Sequence, residues 1–272
     1  MEFEIRPQNK FSLGLRELWE YRELFYFFSL RDIKVKYKQT ALGVLWAVIQ
    51  PLLLAFLFTF FLGKPIAGYA ALPLPYDVFA LSGLVLWSIF ATGLNNGGNS
   101  MISNANIIRK IYFPRLIIPL SSVLVGLFDF LMAFVVLIVY CIIKGQYPDV
   151  SAIWKFPLAI VLTCTATFGA GALLAALNVK YRDFRYVIPF LVQFLLFLSP
   201  VIYPSSIAGS RLFSGLLALN PMTAPLDIFR SALTGLPVST YTNAISITVS
   251  VVLFVGGIFY FRKTEAYFAD MA

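Results

Sequence analysis

Six stretches of the chain are apolar over about the length needed to cross a lipid bilayer. They are residues 42–62, 78–94, 116–143, 156–179, 187–203 and 244–261. A helix needs about 20 mostly apolar residues to cross a hydrocarbon core roughly 30 Å thick. Asp129 is the only acidic or basic residue deep in any of these stretches. The pattern predicts an all-α polytopic membrane protein with six transmembrane helices.

Residues 204–243 are also apolar, but prolines and glycines interrupt them too often for one straight helix. They are Pro204, Gly209, Gly215, Pro221, Pro225, Gly235 and Pro237. Proline removes a helical hydrogen bond, and the charges of Asp227 and Arg230 would be costly at the bilayer centre. We therefore expect short re-entrant helices, covered by protein on their lipid side, before the last span.

The distribution of lysine and arginine predicts the orientation. Residues 1–38, the loops around Arg109 and Arg182, and the C-terminal tail carry sixteen of these residues, whereas the alternate loops carry five. Positive residues accumulate on the cytoplasmic side, so both termini are expected in the cytoplasm. Anionic lipid headgroups account for the net charge of +8, which therefore needs no nucleic-acid partner. The first thirty residues are too charged for a cleavable signal peptide.

The N-terminal arm, residues 1–38, has the pattern of an amphipathic helix. Within residues 12–28, apolar positions recur near helical spacing and charged positions lie between them. This pattern predicts a helix lying in the membrane interface. The expected organisation is this arm, a membrane domain of residues 39–262, and a cytoplasmic tail of residues 263–272.

Composition excludes several classes of function. Sixty per cent of the residues are hydrophobic and 12% are charged, about half the charged share of a soluble protein. The chain contains no histidine and no phosphate-binding glycine loop, and Cys141 and Cys164 both lie inside apolar runs. No metal site is expected. A transporter driven by another subunit is favoured. An ion-coupled carrier or a membrane-bound enzyme would be expected to need more acidic residues than the single one found within the spans.

Four sequence blocks resemble one family. They are RDIKVKYKQT at residues 31–40, NIIRKIYFPR at 106–115, YRD at 181–183 followed by SPVIYP at 199–204, and Asn220-Pro221 followed by Phe229-Arg230. In this order and spacing they resemble the permeases of ABC exporters of the O-antigen, teichoic-acid and capsule type.

The resemblance implies a homodimer of this permease with two copies of a separate ATPase, which binds ATP and Mg²⁺, so that this chain needs no cofactor. The complex would lie in the inner membrane, and its substrate would be a lipid-linked polysaccharide, with O-antigen preferred. Teichoic acid, capsule, plain lipid and drug exporters remain alternatives of the same architecture.

A pore for a polysaccharide should present flat rings and few fixed charges, so that sugars bind weakly and repeatedly. Candidates lie in the first and fifth spans, where lipid-facing rings and polar contacts between helices are the alternative. The expected channel residues are Tyr37, Trp46, Gln50, Phe56, Phe60, Phe190, Gln193, Phe194, Phe197 and Tyr203.

Coupling to an ATPase requires short, stiff cytoplasmic elements. Two basic loops could serve this purpose, or their charges could serve only to set the orientation of the chain in the membrane. The resemblance favours the coupling role. The expected coupling residues are Asn106, Arg109, Lys110, Tyr112, Arg115, Tyr181, Arg182 and Asp183. Asn220-Pro221 has the pattern of a helix start, with asparagine as cap. Asp227 and Arg230, three positions apart, could pair on that helix. These four residues are expected to form the outer gate.

Overall fold

A computed structural model describes residues 15–38, 40–69, 72, 74–205 and 211–265. These ranges form α-helices joined by short loops, as the sequence predicts. The helices are α1 (Leu15–Glu20), α2 (Arg22–Tyr37), α3 (Leu45–Tyr69), α4 (Tyr76–Ser103), α5 (Ala105–Ile108), α6 (Ile117–Ile143), α7 (Lys155–Lys180), α8 (Phe184–Leu198), α9 (Arg211–Leu219), α10 (Thr223–Thr234) and α11 (Thr240–Thr264). A 3-10 helix, Val150–Ala152, precedes α7.

Five of these helices, α3, α4, α6, α7 and α11, are long and apolar enough to cross a membrane. The pair α9 and α10, bent by 84° at their junction, could supply one further span. Helix α8 has 15 residues, so the fifth span predicted from the sequence is shorter than expected. The chain is therefore a multi-pass membrane protein with five or six candidate spans.

Helix α4 lies at the centre of the bundle and packs against α3, α6, α7 and α8. Its glycines permit close approach: a Cβ atom at Gly93 would lie 2.2 Å from the Cγ2 atom of Thr167 on α7. On the other side of α7, a Cβ atom at Gly257 of α11 would lie 2.0 Å from the carbonyl oxygen of Gly169. Since glycine has no side chain, α7 can lie with its backbone close to both neighbours.

A ring cluster joins α6, α7 and α10. The rings of Phe130 and Phe134 on α6 contact Phe229 on α10, with centroids 6.1 and 5.9 Å apart. Phe156 of α7 lies 5.0 Å from the same Phe229 ring. Ring pairs at these distances add to the stability gained by burying apolar area. The cluster holds α10 against the packed helices.

The N-terminal helix differs from the prediction. The helix expected within residues 12–28 is present as α1 and the start of α2, while residues 12–14 lie outside the described ranges. Helix α2 continues to Tyr37 and packs along α6. In its last two turns, polar side chains find partners in Asn104, directly after α4, and in Asp129 on α6.

One detail of residues 204–243 also differs. Helix α10 begins at Thr223, so Pro221 is not its first residue. Asn220 still caps a turn, because its side-chain oxygen accepts a hydrogen bond from the backbone nitrogen of Met222 at 2.9 Å. The expectation of short broken helices agrees with α9 and α10.

Candidate transport path and coupling surface

Asp129, the acid in the middle of α6, is buried with 4% of its surface exposed. It forms an ion pair with Lys36 and accepts a hydrogen bond from the hydroxyl of Tyr37, both at the end of α2. The hydroxyl of Thr92 on α4 donates to the same carboxylate at 3.2 Å. A buried carboxylate is tolerated when a cation and hydrogen-bond donors compensate it. Asp129 therefore joins α2, α4 and α6.

A second set of contacts holds α2 nearer its start. The ring of Phe28 packs on Phe113, with centroids 5.5 Å apart. The guanidinium of Arg31 lies over the Phe28 ring and donates to the side-chain oxygen of Asn104 at 2.7 Å. The same guanidinium donates to the neighbouring Asp32 at 2.7 and 2.9 Å. Helix α2 is thus attached both to the middle of α6 and to the loop between α4 and α6.

An ion-pair network lies at one end of the bundle, which we call the positive end. The positive end consists of the α4–α6 loop, the α7–α8 turn and the end of α11. The guanidinium and the backbone nitrogen of Arg115 both donate to Glu265, the second at 3.4 Å to its carboxylate. The guanidinium of Arg262 lies 3.7 Å from the carboxylate of Glu265 and 3.8 Å from the carboxylate of Glu17. Burial raises the pKa of Glu265, and the nearby Arg262 and Arg115 oppose this shift. The network joins the α4–α6 loop to the end of α11 and to α1.

Helices α3 and α8 each present a row of exposed rings. Phe56 and Phe60 on α3 stack with centroids 6.4 Å apart, and 72% of Phe60 is exposed. Phe190 and Phe194 on α8 stack at the same separation, and 68% of Phe190 is exposed. Their four-residue spacing places each pair on one helical face. These rings lie on two surfaces that the rest of the chain leaves uncovered.

At the opposite end of the bundle, Arg230 of α10 is buried with 5% of its surface exposed. Its guanidinium donates to the carbonyl oxygens of Pro200 and Val201, both at 2.6 Å, and of Phe79, at 3.2 Å. It also lies 3.5 Å from the centroid of the Phe79 ring, a cation–π contact. Asp227, which was predicted to pair with Arg230, accepts instead from the hydroxyl of Ser205 at 2.9 Å. Arg230 thus fastens the segment after α8 to α10 and α4.

A further polar contact at this end joins α4 to α6. Asp77, in the first turn of α4, accepts from the hydroxyl of Tyr140 at 2.6 Å and pairs with Lys144 at 2.7 Å. The hydrogen bond to Asp77 raises the pKa of Lys144. Since Lys144 follows the last residue of α6, this contact joins the end of α6 to the start of α4.

Comparison with known proteins agrees with this architecture. Residues 23–234 match the family described as ABC-2 type transporter. The chain is 31% identical to the O-antigen export system permease protein RfbA of Klebsiella pneumoniae, over 89% of this chain and 92% of that protein. It is 29% identical to RfbA of Myxococcus xanthus, over 80% and 82% of the two chains. It is 22% identical to the polysialic acid transport protein KpsM of Escherichia coli, over 87% and 92%.

The family match covers most of the chain. This protein belongs to the ABC-2 type transporter family. The resemblance found from the four sequence blocks is thereby confirmed at the level of the family.

In this ABC-2 protein, most of the residues predicted to line a channel lie on the exposed faces of α3 and α8. The exposed set is Trp46, Gln50, Phe56, Phe60, Phe190, Gln193, Phe194 and Phe197. Tyr203 is half-buried, and its hydroxyl donates to the carbonyl oxygen of Phe197 at 3.0 Å. Tyr37 differs from the others because its hydroxyl is bound to Asp129. In the structure, Tyr37 attaches the end of α2 to α6.

The residues predicted to couple to an ATPase lie in two short connections at the positive end. Helix α5 and the loop after it contain Asn106, Arg109, Lys110, Tyr112 and Arg115, and this loop borders a cavity of about 350 Å³. The turn between α7 and α8 contains Tyr181, Arg182 and Asp183, all exposed. Both connections are short and follow long helices, so they are suited to transmitting a movement.

Sequence reasoning did not identify Lys36 and Thr92 as partners of Asp129, or Phe79 as the ring beneath Arg230. The first partnership joins residues 93 positions apart, and the last joins residues 151 positions apart. The sequence does show that Asp129 and Arg230 are isolated charges within apolar runs, and a buried charge requires partners. That signal shows that partners exist, but not which residues they are.

Proposed function

We propose that this chain is the membrane-spanning permease subunit of an ATP-driven exporter that moves a lipid-linked polysaccharide out of the cytoplasm. The observation that carries the proposal is the pair of exposed ring faces on α3 and α8, in a chain similar along nearly its whole length to O-antigen export permeases. Of the possible polymers we favour O-antigen. Capsular polysaccharide is the second candidate, since KpsM is a more distant relative.

Two copies of this chain would complete the pathway. A second protomer related by a twofold axis would bring the exposed rings of both copies, such as Phe60 and Phe190, around one shared path. Rings offer weak, repeated contacts to the C–H faces of sugars and carry no fixed charge, so a polymer can slide past them. The rings on α3 and α8 would therefore form the wall of a shared channel.

Movement would be driven by two copies of a separate ATPase that binds ATP and Mg²⁺. In the proposed topology both termini and the positive end lie in the cytoplasm, where basic residues concentrate. The ATPase would contact α5, the loop after it, and the α7–α8 turn. Because Arg115 is joined to Glu265 and the Phe113 ring to Phe28, a push on this loop would move α2 and α11 with it.

The opposite end would form the outer gate. In this proposal α8 with residues 199–203 makes the fifth span, α9 and α10 enter the membrane and return, and α11 is the sixth. Asn220 and Pro221 lie at the bend between α9 and α10, where a small rotation would change the width of the exit. Arg230, bound to Pro200 and Val201, would make the end of α8 move together with α10.

Co-purification and export in a host that lacks its own polysaccharide permease test the proposal. A tagged chain should co-purify a nucleotide-binding subunit, and surface polysaccharide should appear only when both proteins are present. An ATPase carrying a substitution in its catalytic site should abolish export but leave assembly unchanged. Export by this chain alone would contradict the proposal and favour an ion-coupled carrier.

A further inference from the structure

A polar cavity of about 780 Å³ lies between α2 and the last turns of α4, with α5 and α6 closing its sides. Eleven of its fourteen lining residues have polar side chains, and five of the chain's nine asparagines are among them. Asn96, Ser100 and Ser103 follow at helical spacing and place one polar face of α4 toward it. Polar surface is unusual in a chain that is 60% hydrophobic, so this concentration calls for a ligand or a water-filled space.

The cavity is too large to be explained by a few bridging waters. A water molecule occupies about 30 Å³ in the liquid, and ligand sites commonly measure about 300–1,000 Å³. The volume therefore matches a binding site for a small molecule or a short stretch of polymer.

The charges around the cavity already have partners. Arg31 is bound to Asp32 and Asn104, and Lys36 is paired with Asp129. A phosphate group would have to compete with these carboxylates for both cations. Within the described residues no group of three or more Cys, Asp or Glu side chains could hold a metal ion. The lining thus favours a neutral ligand over an anion or a cation.

The side chains that remain accessible are amides and a hydroxyl. Asn96, Ser103 and Asn106 are exposed and line the cavity. Amide and hydroxyl groups donate and accept hydrogen bonds at the same site, and sugar hydroxyls need both. Their chemistry is complementary to a carbohydrate without ionised groups.

The position of the cavity relative to the two ring-bearing helices follows from its walls. Helix α2, which forms one wall, leads through residues 38–44 into α3. On α4, a Cβ atom at Gly98 would lie 2.5 Å from the side chain of Ile188 on α8, so α8 packs on a different side of α4 from Asn96, Ser100 and Ser103. A ligand in the cavity would therefore lie against α2, which leads into α3, and would be separated from α8 by α4.

We propose that the α2–α4 cavity binds a neutral, hydroxyl-rich stretch of glycan through Asn96, Ser103 and Asn106 before the glycan enters the channel. This inference rests on the proposed export function and adds to it a loading site at the cytoplasmic end, separate from the rings. Binding through amides and a hydroxyl gives a site that recognises sugar rather than the phosphate of a lipid headgroup.

Thiol labelling of the full chain in membrane vesicles tests the site. In a background in which Cys141 and Cys164 are replaced by alanine, single cysteines are introduced as Asn96→Cys in the cavity, Phe194→Cys on the α8 ring face, and Ile111→Cys in the exposed loop at the same end. A membrane-impermeant maleimide is applied from the cytoplasmic side. The probe is lipid-linked O-antigen extracted from bacterial membranes, and vesicles containing only phosphatidylglycerol serve as the lipid control.

At a probe concentration ten times the dissociation constant, an occluded thiol should react about tenfold more slowly. We expect this protection at Asn96→Cys and Phe194→Cys with the glycan, and unchanged labelling at Ile111→Cys. Equal protection of Asn96→Cys by phosphatidylglycerol would overturn the assignment, as would a cavity thiol that never reacts. Protection at Phe194→Cys without protection at Asn96→Cys would overturn the loading site alone, whereas protection at neither would overturn both the loading site and the proposed export of O-antigen.

Discussion

Helices α3 and α4 are both apolar enough to cross a membrane, but they have opposite environments. In the most apolar stretch of α4, 78% of the residues are buried, whereas in that of α3 only 11% are buried. Helix α4 belongs to a packed region with α6, α7, α10 and α11, while α3 and α8 form an open region with exposed rings. Hydrophobicity thus places a helix in the membrane, and small residues and buried charges decide whether it faces protein. Stability should depend on the packed region, and transport on the open one.

The largest loss of stability is expected from Arg230→Met in the packed region. The change removes the donor to the carbonyl oxygens of Pro200 and Val201 and leaves Asp227 without a nearby cation. Breaking such a buried arrangement typically lowers the free energy of unfolding by about 3–5 kcal/mol. Thermal unfolding of the purified protein measures this, with Arg185→Met on the exposed surface of α8 as control. Equal unfolding temperatures for the two variants would contradict the assignment.

Adjacent glycines of α11 provide a matched pair. At Gly257 an added Cβ atom would lie 2.0 Å from the backbone oxygen of Gly169, but at Gly256 it would meet nothing within 4 Å. We expect Gly257→Ala to cost about 2–3 kcal/mol through overpacking, whereas Gly256→Ala should be neutral or stabilise by up to about 1 kcal/mol. The midpoints of unfolding in detergent report both values. Similar effects of the two changes would show that α7 and α11 do not pack backbone to backbone.

The polar contact of α2 should contribute less. Asp129→Leu leaves Lys36 and Tyr37 without their acceptor, and because Lys36 is partly exposed we expect a cost of about 2 kcal/mol. The double variant Lys36→Leu with Asp129→Leu should recover part of that loss. A double-mutant cycle in unfolding free energy checks the coupling. Strict additivity of the two changes would mean that the ion pair does not hold α2 in place.

In the open region we expect the smallest effect on stability and a clear effect on export. Phe194→Ala removes an exposed ring and should change the unfolding free energy by less than about 0.5 kcal/mol. Export should nevertheless slow by roughly two- to tenfold, the factor that corresponds to about 0.5–1.5 kcal/mol of ring contact. Surface polysaccharide is measured over time, with Phe259→Ala on α11 as the matched control. Unchanged export at equal expression would show that α8 does not line the channel.

Much of the fold could be predicted from the sequence. Length and hydrophobicity place the long helices, because only helices satisfy their own backbone groups in lipid. The prolines and glycines of residues 204–243 predict broken helices, and the structure has α9 and α10 there. The start of α10 was wrong by two residues since Asn220 caps a turn instead of the helix.

The site was harder to predict because its contacts join distant parts of the chain. The pattern of α8 identifies Phe190 and Phe194 as one face, but the ring of Tyr37 belongs to the same class of residue and has a different role. Only the position of Asp129, 92 residues further along, separates the two cases. The polar residues that end α4 are evident in the sequence. That they line a cavity is evident only from the structure, because α2 forms the opposite wall.

The attachment of α2 has a mechanical consequence. This helix is joined near its start to the Asn104 and Phe113 region and at its end to the middle of α6, and its chain then passes directly into α3. We expect it to act as a lever: a displacement imposed beside α5 would tilt α2 about its contact with Asp129 and swing the first turns of α3. The chain would then need no separate hinge to turn a push at the membrane surface into a change in the width of the channel.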